Sequence, residues 1–132
     1  MTKKQAWLEA FRLRTLPLSL AGIIVGSGYA YFKGFWDSTL FVLALITTVL
    51  FQILSNLAND LGDSLKGTDN EKRVGPMRAV QSGQISKGQM KIAVIVASIL
   101  SFISAALLIK IGSKNLSFEF IVFYFVLALL CI

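Results

Sequence analysis

The chain of 132 residues contains no histidine and a single cysteine, Cys131. Histidine is the commonest general base near neutral pH and the commonest transition-metal ligand, so other side chains must fill both roles here. One cysteine excludes an intrachain disulfide and a cysteine-based metal cluster. Any chemistry in this chain therefore depends on carboxylate, amide, hydroxyl, lysine and arginine groups.

Charged residues are also scarce, at 15% of the chain, while 55% of the residues are hydrophobic. An average soluble domain is about 25% charged. Residues 15–32, 38–59 and 92–109 contain no charged side chain, and a helix needs about 20 such residues to cross a bilayer. A soluble bundle is the alternative, but it requires polar helix faces that these runs mostly lack. The sequence predicts an all-α fold, a polytopic transmembrane helix bundle.

We predict one transmembrane domain over 1–132, with about four spans near 15–32, 38–59, 90–111 and 118–132 and a cytoplasmic loop at 60–89. The last apolar run stops at Ile132 without a polar flank, which we interpret as truncation of a longer bundle. Lys3 and Lys4 precede the first run, as in secretory signals, but no convincing cleavage site follows. We therefore expect an uncleaved first span.

Lysine and arginine are unevenly distributed between the predicted loops. The N-terminal arm and the second loop hold ten of them, whereas the first and third loops hold three. Because cytoplasmic loops of membrane proteins carry the excess of positive charge, we predict a multi-pass protein of the inner (cytoplasmic) membrane with its N-terminus and second loop in the cytoplasm. Membrane topology thus explains the net charge of +6 without nucleic-acid binding.

A stripe of polar residues marks the end of the second apolar run. If the helix continues to residue 63, the stripe lies on one face within about 100°, and its members are Gln52, Asn56, Asn59, Asp60 and Asp63. A solvated helix end is the alternative for the two carboxylates, but it does not explain the amides one and two turns deeper. Polar groups retained at membrane depth usually face a bundle interior or a wet cavity. The stripe therefore predicts a functional site at its carboxylate end, with Gln52 and Asn56 as supporting polar residues deeper in the membrane.

Carboxylate and amide oxygens without histidine or cysteine are ligands that suit Mg²⁺, which commonly bridges carboxylates to substrate phosphates. Asp69 supplies a third carboxylate nearby. Four basic residues follow the stripe and are candidates for binding phosphate oxygens, with lipid-headgroup attraction as the alternative: Lys66, Lys72, Arg73 and Arg78. A charged site at the end of an apolar bundle predicts a lipid diphosphate as the ligand.

Three blocks of the sequence carry a resemblance to a known family. They are "NDLGDSLKGTD" at 59–69, "GPMRAVQSGQIS" at 75–86 and "RLRTLPLSLAGIIVG" at 12–26. The first resembles the first aspartate-rich motif of the UbiA superfamily of intramembrane prenyltransferases. Taken together, the blocks are similar to the menaquinone-pathway branch, the 1,4-dihydroxy-2-naphthoate polyprenyltransferases.

This resemblance implies an all-helical fold of about nine transmembrane helices, of which this chain is the N-terminal part, because the second aspartate-rich motif is missing after Arg78. It implies transfer of a polyprenyl group from polyprenyl diphosphate to 1,4-dihydroxy-2-naphthoate, with loss of pyrophosphate and CO₂, to give demethylmenaquinol. Asp60 and Asp63 are the implied catalytic residues. The implied Mg²⁺ ligands are Asn59, Asp60, Asp63 and Asp69, and the implied diphosphate-binding residues are Asn59, Arg73 and Arg78.

Other functions remain open at this point. A non-catalytic membrane protein that keeps one half-site for binding is one alternative, and an enzyme with another aromatic acceptor, such as 4-hydroxybenzoate, is a second. A channel or transporter segment is disfavoured because the first and third apolar runs contain no ionisable group, which such a path normally requires.

Overall fold

The computed structural model describes residues 2–67, 78–114 and 117–130, and these residues form a bundle of helices. Helix α1 (Lys3–Phe11) leads through a 3₁₀ turn at Leu13–Thr15 into α2 (Leu16–Phe32). The helices that follow are α3 (Ser38–Lys66), α4 (Lys87–Gly112) and α5 (Phe118–Leu130). The described part of the chain contains no β-strand. Helix α3 lies at the centre, packed against α1, α2 and α4, and α5 packs against α4.

Three helical segments are long and apolar enough to cross a membrane: Lys3–Phe32, Ser38–Lys66 and Lys87–Gly112. The prediction of an all-α, polytopic membrane bundle is therefore confirmed. Helix α3 has 29 residues, or about 43 Å at 1.5 Å per residue, which exceeds the hydrocarbon thickness of about 30 Å. Helix α3 is therefore longer than a span perpendicular to the membrane requires. Helix α5 has 13 described residues, so the fourth span near 118–132 stays a prediction.

Helix α3 continues to Lys66, past the predicted end of the second span at residue 59, and the helical continuation to residue 63 that the polar stripe assumed is confirmed. The loop predicted at 60–89 thus begins with seven helical residues. Helix α3 ends at Gly67, whose positive φ of 69° supports the left-handed C-cap, and the Gly67 N–H donates to the carbonyl of Asp63. Helix α4 begins at Lys87, three residues before the predicted start, because Ser86 and Gln89 form a capping box.

The N-terminal arm is itself helical, which the apolar pattern did not reveal. Thr2 caps α1 through a capping box with Gln5, and the small side chains of Ala6 and Ala10 are almost fully buried. They belong to a compact core formed with residues of α3, α4 and the segment before α4: Leu57, Ala79, Ile85 and Met90. This core fixes α1 beside the end of α3 that carries the polar stripe.

Candidate functional site

Four charged side chains from three separate segments meet beside α3. Asp60 is 2% exposed, and its Oδ1 accepts hydrogen bonds from Arg12 Nη2 at 2.7 Å and Arg78 Nη1 at 2.9 Å. The second Nη of Arg78 lies 2.5 Å from Asp63 Oδ2. We call Arg12, Asp60, Asp63 and Arg78 the ion-pair cluster. Because Asp60 and Asp63 are three residues apart on one helix, a single guanidinium reaches both carboxylates.

The backbone at Arg12 is the most unusual in the described part of the chain. Arg12 is the only non-glycine residue there with a positive φ, at 49°, and this left-handed conformation costs roughly 1–2 kcal/mol. Its N–H donates to the carbonyl of Glu9, which ends α1, and its carbonyl accepts from both N–H and Oγ1 of Thr15. A strained turn, held at both ends by hydrogen bonds, thus brings the Arg12 guanidinium to Asp60.

Asn56 fixes the same turn from the α3 side. Its side chain is 5% exposed, and Nδ2 donates at 3.0 Å to the carbonyl of Phe11, the last residue of α1. Carbonyls at a helix C-terminus lack intrahelical partners, so this amide satisfies one of them. Asn56 therefore attaches α1 to α3 one turn away from Asp60 and holds the segment that carries Arg12.

Gln52 lies one helical turn before Asn56 on α3, at the edge of a cleft between α2 and α3. Its Oε1 accepts a hydrogen bond from Ser19 Oγ. The cleft has a volume of about 390 Å³, and we call it the polar cleft; its lining residues are Ser19, Thr47, Thr48, Phe51, Gln52 and Ser55. Gln52 is the one lining residue of this cleft that also belongs to the predicted polar stripe, so the stripe borders the cleft at Gln52.

The structure thus unites only some of the predicted site residues. Asp60, Asp63 and Arg78 form one cluster, whereas Asn59 and Lys66 are exposed. Two predicted residues, Asp69 and Arg73, lie outside the described residues, as does Lys72.

Arg12 is the residue that sequence reasoning missed, since it was counted only as part of a basic N-terminal arm. It lies 48 residues from Asp60, and no local periodicity connects the two positions. The available signal was its place at the start of the block at 12–26, one of the three that carry the family resemblance.

The donor set of the cluster suits a divalent cation together with phosphate oxygens. Among the described residues, no group of three or more histidine, cysteine or acidic side chains is positioned for a metal ion, but two carboxylates stand one turn apart. Both hydrogen bonds to Asp60 reach Oδ1, and within residues 2–67, 78–114 and 117–130 none reaches Oδ2. Hard oxygen atoms of this kind suit Mg²⁺, and the guanidinium groups match phosphate oxygens.

The charges of the ion-pair cluster are largely removed from water. Among the described residues, two carboxylates face two guanidinium groups, and the Asp60 and Arg78 side chains are only 3% and 14% exposed. Removing such charges from water costs several kcal/mol per ion, so buried ion pairs are weak evidence for a contribution to stability. Groups that can exchange one charged partner for another are, by contrast, well suited to hold a charged ligand.

Comparisons with known proteins agree with the resemblance. Residues 17–131 match the UbiA prenyltransferase family. The chain is 45% identical over 117 residues to a 1,4-dihydroxy-2-naphthoate octaprenyltransferase of Escherichia coli (strain K12), and 46% identical over 118 residues to one of Haemophilus influenzae. One of Mycobacterium tuberculosis is 30% identical over 117 residues.

These alignments cover most of this chain but a minor part of each relative. They span 89%, 87% and 81% of the chain and 38%, 38% and 39% of the respective relatives. The chain therefore spans less than two fifths of the length of the curated relatives it matches. No solved structure matches the chain.

Proposed function

Since the chain belongs to the UbiA prenyltransferase family, we propose that the complete protein containing it transfers a polyprenyl group from polyprenyl diphosphate to 1,4-dihydroxy-2-naphthoate. The observation that carries this proposal is the ion-pair cluster at the end of an apolar bundle, where Asp60 and Asp63 share Arg78. A lipid diphosphate combines a highly charged head with an apolar tail. The cluster suits the head, and the space between membrane-spanning helices suits the tail.

The proposed reaction breaks two bonds and forms one between carbon atoms. The C1–O bond of the polyprenyl diphosphate breaks, and pyrophosphate leaves with its electron pair. A ring carbon of the acceptor then bonds to C1. When that ring carbon is the one that carries the carboxylate, CO₂ leaves from it and the electrons of the broken C–C bond return to the ring, giving demethylmenaquinol with no further proton transfer. The names of the relatives favour this acceptor over 4-hydroxybenzoate.

We propose Mg²⁺ as the cation of this site. Asp60 and Asp63 would hold it through their carboxylates, with Asn59 and Asp69 as the further ligands predicted from the motif. Bound Mg²⁺ supplies neutralisation of the charge that develops on the departing pyrophosphate.

The protein's own side chains have two roles in this mechanism. Arg12 and Arg78 hold the carboxylates in place through the hydrogen bonds at Asp60, and their guanidinium groups are suited to pair with phosphate oxygens when the diphosphate enters. Lys66 and Arg73 are the further basic residues proposed to bind the diphosphate. The apolar membrane-spanning helices around the prenyl chain exclude water. This protects the allylic cation, which remains when pyrophosphate leaves, from hydrolysis.

The proposed site faces the cytoplasm at the inner membrane. This orientation rests on the excess of lysine and arginine in the N-terminal segment and in the segment between α3 and α4. It gives the water-soluble aromatic acid and Mg²⁺ access from the cytoplasm, while the prenyl chain enters from the bilayer.

Carboxylate-to-amide substitutions in the complete protein test the proposal. Membranes are supplied with polyprenyl diphosphate, Mg²⁺ and either acceptor. We expect Asp60→Asn and Asp63→Asn to abolish transfer to dihydroxynaphthoate while membrane insertion stays normal. Asp37→Asn is the matched control, because Asp37 caps α3 at its other end through N–H groups of Thr39 and Leu40, and asparagine caps helices equally well.

The result identifies the function as well as the site. Normal transfer rates in both site variants contradict the assignment of the cluster. Binding of the diphosphate without transfer to either acceptor supports the non-catalytic half-site instead, and transfer to 4-hydroxybenzoate alone reassigns the acceptor.

A further inference from the structure

The polar cleft has an unusual lining for a cavity at membrane depth. Five of its six lining residues carry hydroxyl or amide groups, none carries a charge, and the sixth is Phe51. We propose that this cleft binds the aromatic acceptor through the polar substituents of its ring. The inference rests on the proposed prenyl transfer and extends it by assigning the acceptor to Ser19, Thr48, Gln52 and Ser55.

The hydrogen-bonding capacity of the cleft is only partly used by the protein. Thr47 Oγ1 donates to the carbonyl of Leu43 and contacts Ser104 Oγ, and Gln52 Oε1 accepts from Ser19. Among the described residues, the hydroxyls of Thr48 and Ser55 and the Nε2 of Gln52 make no hydrogen bond to another residue. Each amide Nε2 has two donors, and each hydroxyl both donates and accepts.

This unused capacity distinguishes between the two substrates. A polar group buried against hydrocarbon loses its hydrogen bonds to water without replacement, at a cost of roughly 1–3 kcal/mol in proteins. An isoprene chain would impose that cost on the cleft because it offers no donor or acceptor. A ring with phenolic hydroxyls satisfies these groups, and the Phe51 side chain adds an aromatic wall suited to stacking or edge contacts.

The polar cleft and the ion-pair cluster lie on neighbouring turns of α3. Along α3, Ser55 and Gln52 precede Asp60 by five and eight residues, or about 7.5 and 12 Å at 1.5 Å per residue. Around the helix, Gln52 lies about 80° from Asp60, whereas Thr48 and Ser55 lie about 120° and 140° from it. Gln52 is therefore the α3 residue of the cleft that faces the cluster most nearly, and a ring hydrogen-bonded to Gln52 is placed on the side of the cleft nearest to a diphosphate held at the cluster.

The kinetic test uses the complete protein with Gln52→Leu and Thr48→Val, which remove polar groups with little change in volume. We expect KM for 1,4-dihydroxy-2-naphthoate to rise about tenfold in each, the size expected for losing hydrogen bonds worth up to about 1.5 kcal/mol, while KM for the polyprenyl diphosphate is unchanged. Ser101→Ala is the matched control. Ser101 is a fully buried hydroxyl of α4 that does not line the cleft.

Direct binding separates this inference from the proposed function. The probe is 1-hydroxy-2-naphthoate, followed by its fluorescence with detergent-solubilised protein, and 2-naphthoate serves as the analogue without the hydroxyl. We expect Gln52→Leu to weaken binding of the hydroxylated probe but not of 2-naphthoate, and Asp60→Asn to bind both normally while transferring nothing.

Three outcomes overturn the assignment. The cleft belongs to the prenyl group if the two variants raise KM for the polyprenyl diphosphate instead. It has no part in substrate binding if neither KM changes, or if wild type, Gln52→Leu and Ser101→Ala bind the hydroxylated probe equally. A protein without any transferase activity still leaves the binding comparison decisive, because that comparison requires no turnover.

Discussion

Arg12 Nη2 lies 2.7 Å from Asp60 Oδ1, although the two residues are 48 positions apart in the chain. The contact connects the turn after α1 to the centre of the aspartate-rich motif on α3. Asn56 makes a second connection between the same two elements through the carbonyl of Phe11. The N-terminal helix is consequently part of the candidate site, and changes in its position are expected to alter the environment of Asp60.

The first prediction concerns the charge of Arg12. We expect Arg12→Gln to lower the free energy of unfolding by about 1.5–3 kcal/mol, the usual cost of losing a hydrogen bond to a charged group, and to reduce prenyl transfer because Asp60 loses one of its two partners among the described residues. Thermal unfolding in detergent and the transfer assay measure the two effects. Arg14→Gln is the control, since Arg14 is exposed and makes no ion pair with another described residue. Equal effects at positions 12 and 14 contradict the role of the contact.

The second prediction concerns the backbone of Arg12. With φ at 49°, a residue with a Cβ atom is strained by roughly 1–2 kcal/mol, whereas glycine is not. We therefore expect Arg12→Gly to be more stable than Arg12→Ala by about that amount, although both lose the guanidinium. At Arg14, within the adjacent 3₁₀ turn, the order is expected to reverse because glycine is more flexible in the unfolded chain. An identical order at both positions argues against the left-handed turn.

The third prediction concerns the attachment of α1. In a Cys131→Ser background, a cysteine at Ala10 is expected to react slowly with a maleimide, because Ala10 is 1% exposed. Asn56→Leu removes the hydrogen bond to Phe11 and leaves its carbonyl without that partner, at a cost of about 1–3 kcal/mol. We expect the Ala10 cysteine to react faster in that variant.

A cysteine at Leu8 is the control for this experiment. Leu8 is 46% exposed, so its labelling rate is expected to be high with or without Asn56→Leu. Unchanged protection at Ala10 in the Asn56→Leu variant would show that the buried alanine face alone holds α1 in place.

The apolar spans were predictable from the sequence because the signal for a membrane helix is local. Residues 15–32 contain no charge, and α2 covers Leu16–Phe32. The polar stripe also predicted that α3 carries Asp60 and Asp63 on one face, since a spacing of 3.6 residues per turn suffices for that inference. The stripe also assumed a helix as far as residue 63, and α3 continues to Lys66, with both carboxylates paired with Arg78.

Contacts between distant segments were not predictable in the same way. Nothing in the local pattern of α1 indicates that Arg12 adopts a left-handed backbone, which arginine rarely does. The hydrogen bonds from Asn56 to Phe11 and from Ser19 to Gln52 depend on how α1 and α2 pack against α3. Residue types alone therefore indicated the chemistry of the site, and tertiary packing determined which arginines complete it.

The fourth prediction concerns a hydrogen bond inside the bundle. Thr47 Oγ1 donates to the carbonyl of Leu43, so Ser104 is the donor in the 2.7 Å contact between Ser104 Oγ and Thr47 Oγ1. This contact joins α3 to α4. A double-mutant cycle of Thr47→Val and Ser104→Ala is expected to give a coupling energy of about 0.6 kcal/mol, and at most about 1.7 kcal/mol, as for other hydrogen bonds between membrane helices.

The matched cycle pairs Thr48→Val with Ser104→Ala. Thr48 is the neighbouring β-branched hydroxyl residue on α3 but lines the polar cleft instead, so its effect on stability is expected to add to that of Ser104→Ala within about 0.5 kcal/mol. Coupling as large in this cycle as in the first would mean that Ser104→Ala shifts the whole α3–α4 contact. Strict additivity in both cycles would mean that the Thr47–Ser104 hydrogen bond contributes nothing measurable, because each hydroxyl finds an equally good partner when the other is removed.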